Sequence, residues 1–388
     1  MTAERLRPSD SFAKLIKMAR LVSSLVGADV STVNYRVNII TIIVIFCIVI
    51  YFIFTATTVA SVFSEDWTFL LEASCMMGSV LQGCTKLISG ISRTKDVSGM
   101  RLELEALYRT YESKGQSYCK VLNESCDRVR KVIKMVGYIY ASNIAGIILL
   151  TTVLMLTSDR KIYIMQFFIP GVDANTSFGY LLTTSVHMVV FLAGSFGLFA
   201  GDLFFLIYLG QPELLRDILI LKVEELNEAV AQKDDNIECL LINIIEWHQY
   251  YMDFNNRCNE IFYYIITMQI LTSGISIICT MYIILMGDWP GAYLYILVAL
   301  CGLYLYCIIG TRIQTCSETF FEELYNINWY ELDIKKQKMM ILILMKSQNP
   351  SEIKIAGVLP LSVQTALQIT KSIYGIFTMM LRLMGEEQ

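Results

Sequence analysis

Residues 38–63 read NIITIIVIFCIVIYFIFTATTVASVF, an apolar run without a single charged side chain. A helix of about 20 apolar residues is long enough to cross the hydrocarbon core of a bilayer, which is roughly 30 Å thick. The run therefore predicts a transmembrane helix. Six further long apolar stretches follow it along the chain, at residues 67–91, 135–156, 180–209, 261–286, 292–310 and 355–384.

The composition of the whole chain agrees with this pattern of spans. The 388 residues are 55% hydrophobic, and the mean hydropathy is +0.53. A soluble protein of this size is seldom so apolar. The spans show no strand-like alternation, so helices must satisfy the backbone hydrogen bonds in lipid. We therefore predict an all-α membrane protein with seven transmembrane helices.

Lysine and arginine lie almost entirely on one side of the predicted spans. The segments before the first span and after the second, fourth and sixth spans hold 6, 10, 4 and 6 of them, whereas the other gaps hold 0, 2 and 0. Positively charged segments stay on the cytoplasmic side, so we predict a cytoplasmic N-terminus and an extracellular C-terminus. A G-protein-coupled receptor has the opposite topology and usually carries an Asp/Glu-Arg-Tyr motif, which the third span lacks.

Several function classes are disfavoured by what the sequence lacks. The net charge of −4 and the absence of a basic stripe argue against a nucleic-acid partner. None of the 11 cysteines lies in a predicted outside gap and no Cys-x-x-Cys pair occurs, so we predict no disulfide, no metal site and no cofactor. The sequence shows neither enzyme motifs such as G-x-S-x-G nor the internal repeats of secondary transporters. We therefore do not expect an enzyme.

Two N-glycosylation sequons bear on the predicted topology. Asn175 lies between the third and fourth spans, in the only sizeable gap predicted to be extracellular, and is a candidate acceptor. Asn123 lies in a gap predicted to be cytoplasmic and is expected to be bare. The gap that holds Asn175 is also long enough to cover the opening of a pocket.

The predicted cytoplasmic segments carry amphipathic helical patterns. In residues 1–37, apolar side chains recur at helical spacing among basic residues, which predicts a helix that lies on the inner membrane surface or packs against the bundle. Similar patterns in residues 211–260, and in a helix near 317–347 within segment 311–354, predict a cytoplasmic helical anchor. Pro350 is expected to end the latter helix. So much apolar surface on one chain predicts oligomerisation through this anchor.

Short blocks near the C-terminus resemble insect odorant receptors. In order along the chain they read YNINWY (325–330), KQK (336–338), ILILMKSQNP (341–350), AG (356–357), LS (361–362), KSIY (371–374) and FT (377–378). Elsewhere the resemblance covers the chain only as length, number of spans and inverted topology. The related gustatory receptors usually carry Thr-Tyr and then Gln-Phe in the last span, whereas this chain has Ile373-Tyr374 and no Gln-Phe. The segment 211–260 is shorter than that of the family's co-receptor, which favours a ligand-tuning subunit.

The resemblance implies a function. Insect odorant receptors are tetrameric, ligand-gated, non-selective cation channels in the plasma membrane of sensory neurons, and their tuning subunits assemble with a co-receptor. The chain is therefore expected to bind a small volatile odorant and to open a pore across the lipid bilayer. The alternative is a gustatory-type channel, or a seven-span receptor that signals through a partner.

The same resemblance assigns roles to segments. Residues 38–210, with the first four spans, are expected to form the ligand-binding bundle, and residues 261–310 supply the fifth and sixth spans. Residues 355–384 are expected to line the pore, and residues 385–388 to form an extracellular tail. The residues expected in the oligomer anchor are Tyr325, Trp329, Met339 and Ile343.

One face of the last span is polar in its inner half and apolar towards the outside, at 100° per residue. Its members are Gln368, Ser372, Ile376, Met379 and Leu383. A narrow apolar ring blocks ions by dewetting, and Met379 takes the family's gate position by resemblance; the alternative is a methionine that packs or faces lipid. Lys371 is expected to face a polar vestibule. Arg382 is expected to reach either the interface or the pore mouth.

An odorant pocket is expected to be apolar with few polar groups. In the family it lies in the outer half of the membrane, among the second, third, fourth and sixth spans. The corresponding candidates are Leu70, Ser74, Met77, Gly146, Leu150, Leu154, Tyr180, Thr184, Met188, Tyr293 and Ile296. Helix packing is the alternative for each of them. Glu72 is expected to reach water, and His187 to form a hydrogen bond within the bundle or to contact a polar odorant.

Overall fold

The computed structural model describes residues 7–32, 35–62, 68–157, 161, 163–165, 167–173, 176–286, 291–349 and 351–386. These residues are mostly helical. The helices are α1 (Pro8–Leu25), α2 (Ile39–Val62), α3 (Thr68–Ser92), α4 (Thr94–Glu112), α5 (Gln116–Thr157), α6 (Ser177–Leu209), α7 (Gln211–Gln232), α8 (Ile237–Met286), α9 (Ala292–Tyr325), α10 (Ile334–Ser347) and α11 (Val363–Glu386). A 3-10 turn (Trp329–Glu331) precedes α10, and two short strands, β1 (Lys354–Ile355) and β2 (Leu359–Pro360), precede α11.

Helices lie at all seven predicted spans, namely α2, α3, α5, α6, α8, α9 and α11. Some are much longer than a membrane is thick: α8 has 50 residues, which is about 75 Å at 1.5 Å per residue. The helices α5, α8 and α9 continue past one end of the bundle and pack there with α1, α4, α7 and α10. We call this the inner end. The opposite end, where α2 leads to α3 and α8 leads to α9, is the outer end.

Five described stretches are long and apolar enough to cross a membrane: Ile39–Val62, Gln116–Thr157, Ser177–Gln232, Ile237–Leu285 and Ala292–Glu331. The helices α3 and α11 are not among them, and both carry charged side chains within their apolar runs. Lys86 lies in α3, and Lys371 and Arg382 lie in α11. Charged residues inside a membrane usually face the bundle interior or a water-filled space. These two helices are therefore expected to face protein or water on at least one side.

The last helix begins at Val363, later than the start at residue 355 that the sequence predicted. The preceding residues form an antiparallel hairpin in which Ile355 pairs with Leu359. Its turn contains Gly357 at φ 73°, a left-handed conformation that glycine adopts without steric cost. Ser362 then caps α11, because its Oγ accepts a hydrogen bond from Thr365 N at 3.2 Å.

The anchor helix predicted near residues 317–347 is two helices in the structure. The sixth-span helix α9 runs on to Tyr325, and α10 starts only at Ile334. The side chain of Asp333 caps α10 by accepting from Lys336 N at 2.9 Å. The apolar periodicity continues across the break, so hydrophobic spacing alone gave no sign of it.

A large hydrophobic core lies at the inner end and fixes the position of α1. Phe12, Leu15 and Ile16 of α1 are buried in it, and the rings of Phe12 and Tyr108 stack with centroids 4.4 Å apart. The helix packs against α4, α5 and α6. Of the two predicted placements, packing against the bundle is therefore the one observed. A smaller core at the outer end contains Tyr51 and residues of α3, α5, α8 and α9.

Candidate ligand cavity and pore helix

A cavity of about 380 Å³ lies among α2, α3, α5, α6, α8 and α9. This volume is within the usual range for small-molecule sites. The lining is mainly apolar and includes Tyr51, Met76, Ile147, Val190 and Val298. The cavity reaches from the outer core towards the inner end of the bundle, where Lys86, Asp202 and Tyr306 also line it.

The described residues 161, 163–165 and 167–173, between α5 and α6, cover the outer end of the cavity. Of these, Ile164, Met165 and Phe167 are buried in the outer core, and Met165 also lines the cavity. His187 Nε2 donates a hydrogen bond to Phe167 O at 2.9 Å, and Phe168 N donates to Thr58 Oγ1 at 2.9 Å. The loop thus lies where the sequence expected a cover, and His187 forms its hydrogen bond within the protein.

None of the eleven predicted ligand residues lines this cavity. Tyr293 is 63% exposed, and Leu70 is also exposed. A Cβ at Gly146 would meet Leu294 of α9 at 3.5 Å, whereas its neighbour Ile147 lines the cavity. The other eight are half-buried: Ser74, Met77, Leu150, Leu154, Tyr180, Thr184, Met188 and Ile296.

The mismatch has a simple geometric cause. Successive residues of a helix point in directions that differ by 100°. A candidate chosen one position away from a lining residue therefore faces a different neighbour. In each of these helices several faces are apolar, and the sequence therefore gives the helix but not which face looks into the cavity. Adjacent positions such as Met76, Ile147, Val189 and Tyr295 line the cavity instead.

A buried ion pair forms the inner wall of the cavity. Lys86 Nζ lies 2.5 Å from Asp202 Oδ1, and each side chain is only 4% exposed. Tyr306 Oη donates to Asp202 Oδ1 and Tyr140 Oη donates to Asp202 Oδ2, both at 2.6 Å. These four residues, which we call the ionic network, connect α3, α5, α6 and α9.

The ionic network was missed in the sequence analysis, although a signal for it exists. Lys86 and Asp202 are opposite charges within two apolar spans, and ionisable residues inside a membrane usually pair with one another. The two lie near the inner ends of α3 and α6, neighbouring helices that both run from the outer end to the inner end. Treating charged residues within the spans as possible ion-pair partners would have predicted the pair of Lys86 and Asp202.

The predicted pore face of α11 is exposed in the single chain. Gln368, Ser372, Ile376 and Met379 all lie on it, and Met379 is 63% exposed. The helix presents its other face, with Ala366 and Ile373 buried, to α8 and α9. Lys371 and Arg382 are also exposed, and the side chain of Leu383 is outside the described residues.

The predicted anchor residues divide between buried and exposed positions. Ile343 is buried in the inner core, and Trp329 and Met339 pack against it, whereas Tyr325 is exposed. The apolar face that this chain leaves open on α10 has other members: Ile334, Ile341, Leu342 and Met345. We call these four the open face of α10. The sequon residue Asn175 lies outside the described residues.

Comparisons with known proteins agree on one family. A family model described as 7tm Odorant receptor matches residues 66–374. The chain is 30% identical to putative odorant receptor 83c of Drosophila melanogaster, over 96% of this chain and 98% of that protein. It is 27% identical to odorant receptor 22c of the same species, over 34% of this chain and 32% of that protein.

A solved structure shares the fold. The insect olfactory receptor OR5 from Machilis hrabei, in complex with eugenol, matches with a TM-score of 0.76 over 97% of this chain and 99% of that chain, at 15% identity. At this coverage the match is not confined to the apolar spans. With the family model covering most of the sequence, the chain is a multi-pass membrane protein that belongs to the insect odorant receptor family.

Proposed function

We propose that this chain is a subunit of an odorant-gated, non-selective cation channel. A volatile ligand binds in the cavity among α2, α3, α5, α6, α8 and α9, and its binding opens a pore lined by the exposed face of α11. The observation that carries the proposal is the exposed stripe on α11, which is polar at Gln368 and Ser372 and apolar at Ile376 and Met379. Such a stripe can hold water in one half and exclude ions by dewetting in the other.

The helix α9 connects the cavity with the proposed pore. Its outer part lines the cavity with Tyr295 and Val298. Its inner part contacts α11, where Tyr304 Oη lies 3.2 Å from Thr370 Oγ1 and Thr311 Oγ1 accepts from Val363 N at 2.8 Å. A ligand that favours one position of α9 therefore shifts α11, provided that it binds the open and closed states with different affinity.

A single α11 cannot enclose a pore, so the proposal requires several subunits. We propose a hetero-tetramer with the family's co-receptor, in which the open face of α10 packs against neighbouring subunits. Exposed apolar patches of this kind usually mark interfaces. The assembly lies in the plasma membrane with the inner end in the cytoplasm, in accordance with the distribution of lysine and arginine.

A small organic ligand in this fold has a precedent, since the Machilis receptor was solved with eugenol. Among the described lining residues of the cavity only Lys86 and Asp202 are charged, and they are paired with each other. Affinity must therefore come from burial of apolar surface with a few hydrogen bonds. Small organic ligands gain about 0.3–1.5 kcal/mol of binding free energy per heavy atom, which is sufficient for micromolar binding.

The test is to record odorant-evoked currents from cells that express the chain, with and without the co-receptor. Gly83 lines the cavity, and a Cβ there would meet only Leu198 Cδ2, at 3.9 Å. The variant Gly83→Leu is thus expected to fill part of the cavity and to raise the half-maximal odorant concentration about tenfold, equivalent to 1.4 kcal/mol. Expression at the cell surface is expected to stay unchanged.

Gly99→Leu is the matched control. Gly99 lies in α4 outside the cavity, and a Cβ there meets nothing within 4 Å. This variant is expected to respond like the wild type. Equal odorant sensitivity of Gly83→Leu and the wild type would contradict the cavity assignment. Odorant responses that occur without any membrane current would favour a receptor that signals through a partner.

A further inference from the structure

A belt of polar side chains borders the cavity. Gln82 Nε2 donates to Thr272 Oγ1 at 2.7 Å and lies 3.3 Å from Ser273 Oγ. Ser79 Oγ and Tyr295 Oη are 2.7 Å apart. These groups therefore satisfy one another within the protein, and each has a hydrogen-bond partner that a ligand would have to displace.

Two acceptors on residues that line the cavity have no donor among the described residues. They are Gln269 Oε1 on α8 and Asn143 Oδ1 on α5, and both oxygens are buried. Both residues line the cavity. Gln269 is 6% exposed, and its Nε2 is directed to Ser273 Oγ at 3.4 Å, which leaves Oε1 as the unpaired atom. Buried polar atoms without a partner are uncommon in folded proteins and call for an explanation.

We propose that the cavity binds volatile alcohols, whose single hydroxyl proton is donated to Gln269 Oε1 or, in an alternative pose, to Asn143 Oδ1. A hydroxyl is the smallest neutral group that supplies the missing donor. The rest of the ligand is a hydrocarbon body in contact with apolar lining such as Val190, Leu198 and Val298. This inference specifies the class of ligand for the proposed function. It rests on the proposed function only in taking the cavity as the ligand site.

Other ligand classes fit the same walls less well. A carboxylic acid or an amine would need an unpaired opposite charge, but Lys86 and Asp202 already neutralise each other at 2.5 Å. Ethers, ketones and aldehydes bring an acceptor and no donor, so they leave Gln269 Oε1 unpaired. A site with a buried hydrogen-bonding group rejects an analogue that lacks the matching group, because the buried atom then loses its partner.

The test compares isomers on the full-length protein. A series of straight-chain primary alcohols, each beside its isomeric methyl ether, is bound to the receptor in lipid nanodiscs, with the co-receptor present. Each ether has the same atoms as its alcohol but no donor. The wild type is expected to bind an alcohol about tenfold more tightly than its ether, the upper range for one net hydrogen bond.

The variant Gln269→Met keeps the length of the side chain and removes the acceptor. We expect it to bind ethers as the wild type does and to lose most of the preference for alcohols. Gln249→Met is the matched control, since Gln249 is an exposed residue of the same helix, and it is expected to keep the preference. If Gln269→Met loses ether binding as well, Asn143→Leu is the variant that decides, and it is expected to weaken the preference for alcohols.

Equal binding of alcohols and ethers by the wild type would overturn the inference. A preference that survives both Gln269→Met and Asn143→Leu would also overturn it. Currents are recorded separately from binding, so the two proposals can fail independently. A preference for alcohols without any cation current would contradict the channel function alone, whereas odorant-gated currents without a preference for alcohols would contradict this inference alone.

Discussion

Replacing Asp202 with leucine is expected to destabilise the receptor by about 3–5 kcal/mol, because the change leaves Lys86 buried without its counter-charge. Asp202 accepts hydrogen bonds from Lys86, Tyr140 and Tyr306. Removing the carboxylate therefore also leaves two phenol hydroxyls without an acceptor. The measurement is thermal unfolding of the purified protein, with the fraction of receptor at the cell surface as a second readout.

The double variant Lys86→Met with Asp202→Leu provides the control. A buried ion pair is seldom more stabilising than well-packed apolar residues of similar volume, since desolvation offsets the attraction. The double variant is therefore expected to recover much of the stability that Asp202→Leu loses. If the double variant is as unstable as the sum of the two single variants, Lys86 and Asp202 do not interact in the folded protein.

Replacing Met379 with serine is expected to produce a basal cation current about tenfold larger than that of the wild type in the absence of odorant. An apolar ring closes a pore by excluding water, and a hydroxyl in the ring favours the hydrated, conducting state. A tenfold change corresponds to 1.4 kcal/mol in the closed-to-open equilibrium. The measurement is whole-cell current before and after addition of odorant, normalised to receptor at the surface.

Tyr374→Ser is the control for this variant. Tyr374 is exposed on the same helix, but it lies about 140° away from Met379 at 100° per residue. It is expected to leave the basal current unchanged. A wild-type basal current in Met379→Ser would contradict the gate, and equal leaks in both variants would indicate general disruption of α11.

The sequence was informative about elements and much less so about their faces. The charge-free run at residues 38–63 predicted a span, because length and polarity decide what a bilayer accepts. The distribution of basic residues predicted the orientation of the chain, which stays a prediction. On α11, Gln368 and Ser372 break the apolar pattern and mark a polar face, which is exposed in the structure; that this face lines a pore stays a prediction. Where a helix is apolar on every face, as around Gly146 and Ile147, no polar residue in the sequence indicates which face points to the cavity.

Other differences came from local chemistry that hydrophobic spacing does not show. The hairpin before α11 depends on Gly357 with φ 73°, and the start of α10 depends on the cap at Asp333. Neither feature changes the number of apolar residues around it, so the hydrophobic pattern does not reveal it. The unpaired oxygens of Gln269 and Asn143 are visible only when every donor around them is known. The ionic network is the exception, because Lys86 and Asp202 were conspicuous charges in apolar spans.

In the proposed channel, the exposed face of α11 lines a cation pore that odorants open. The direct measurement is single-channel conductance during odorant application, for the variants Ser372→Glu and Ser372→Lys. We predict that the glutamate raises and the lysine lowers cation conductance, while the same two substitutions at Tyr374 leave it unchanged. Conductance that is the same in wild type and in both Ser372 variants would place the ion path elsewhere and contradict the account.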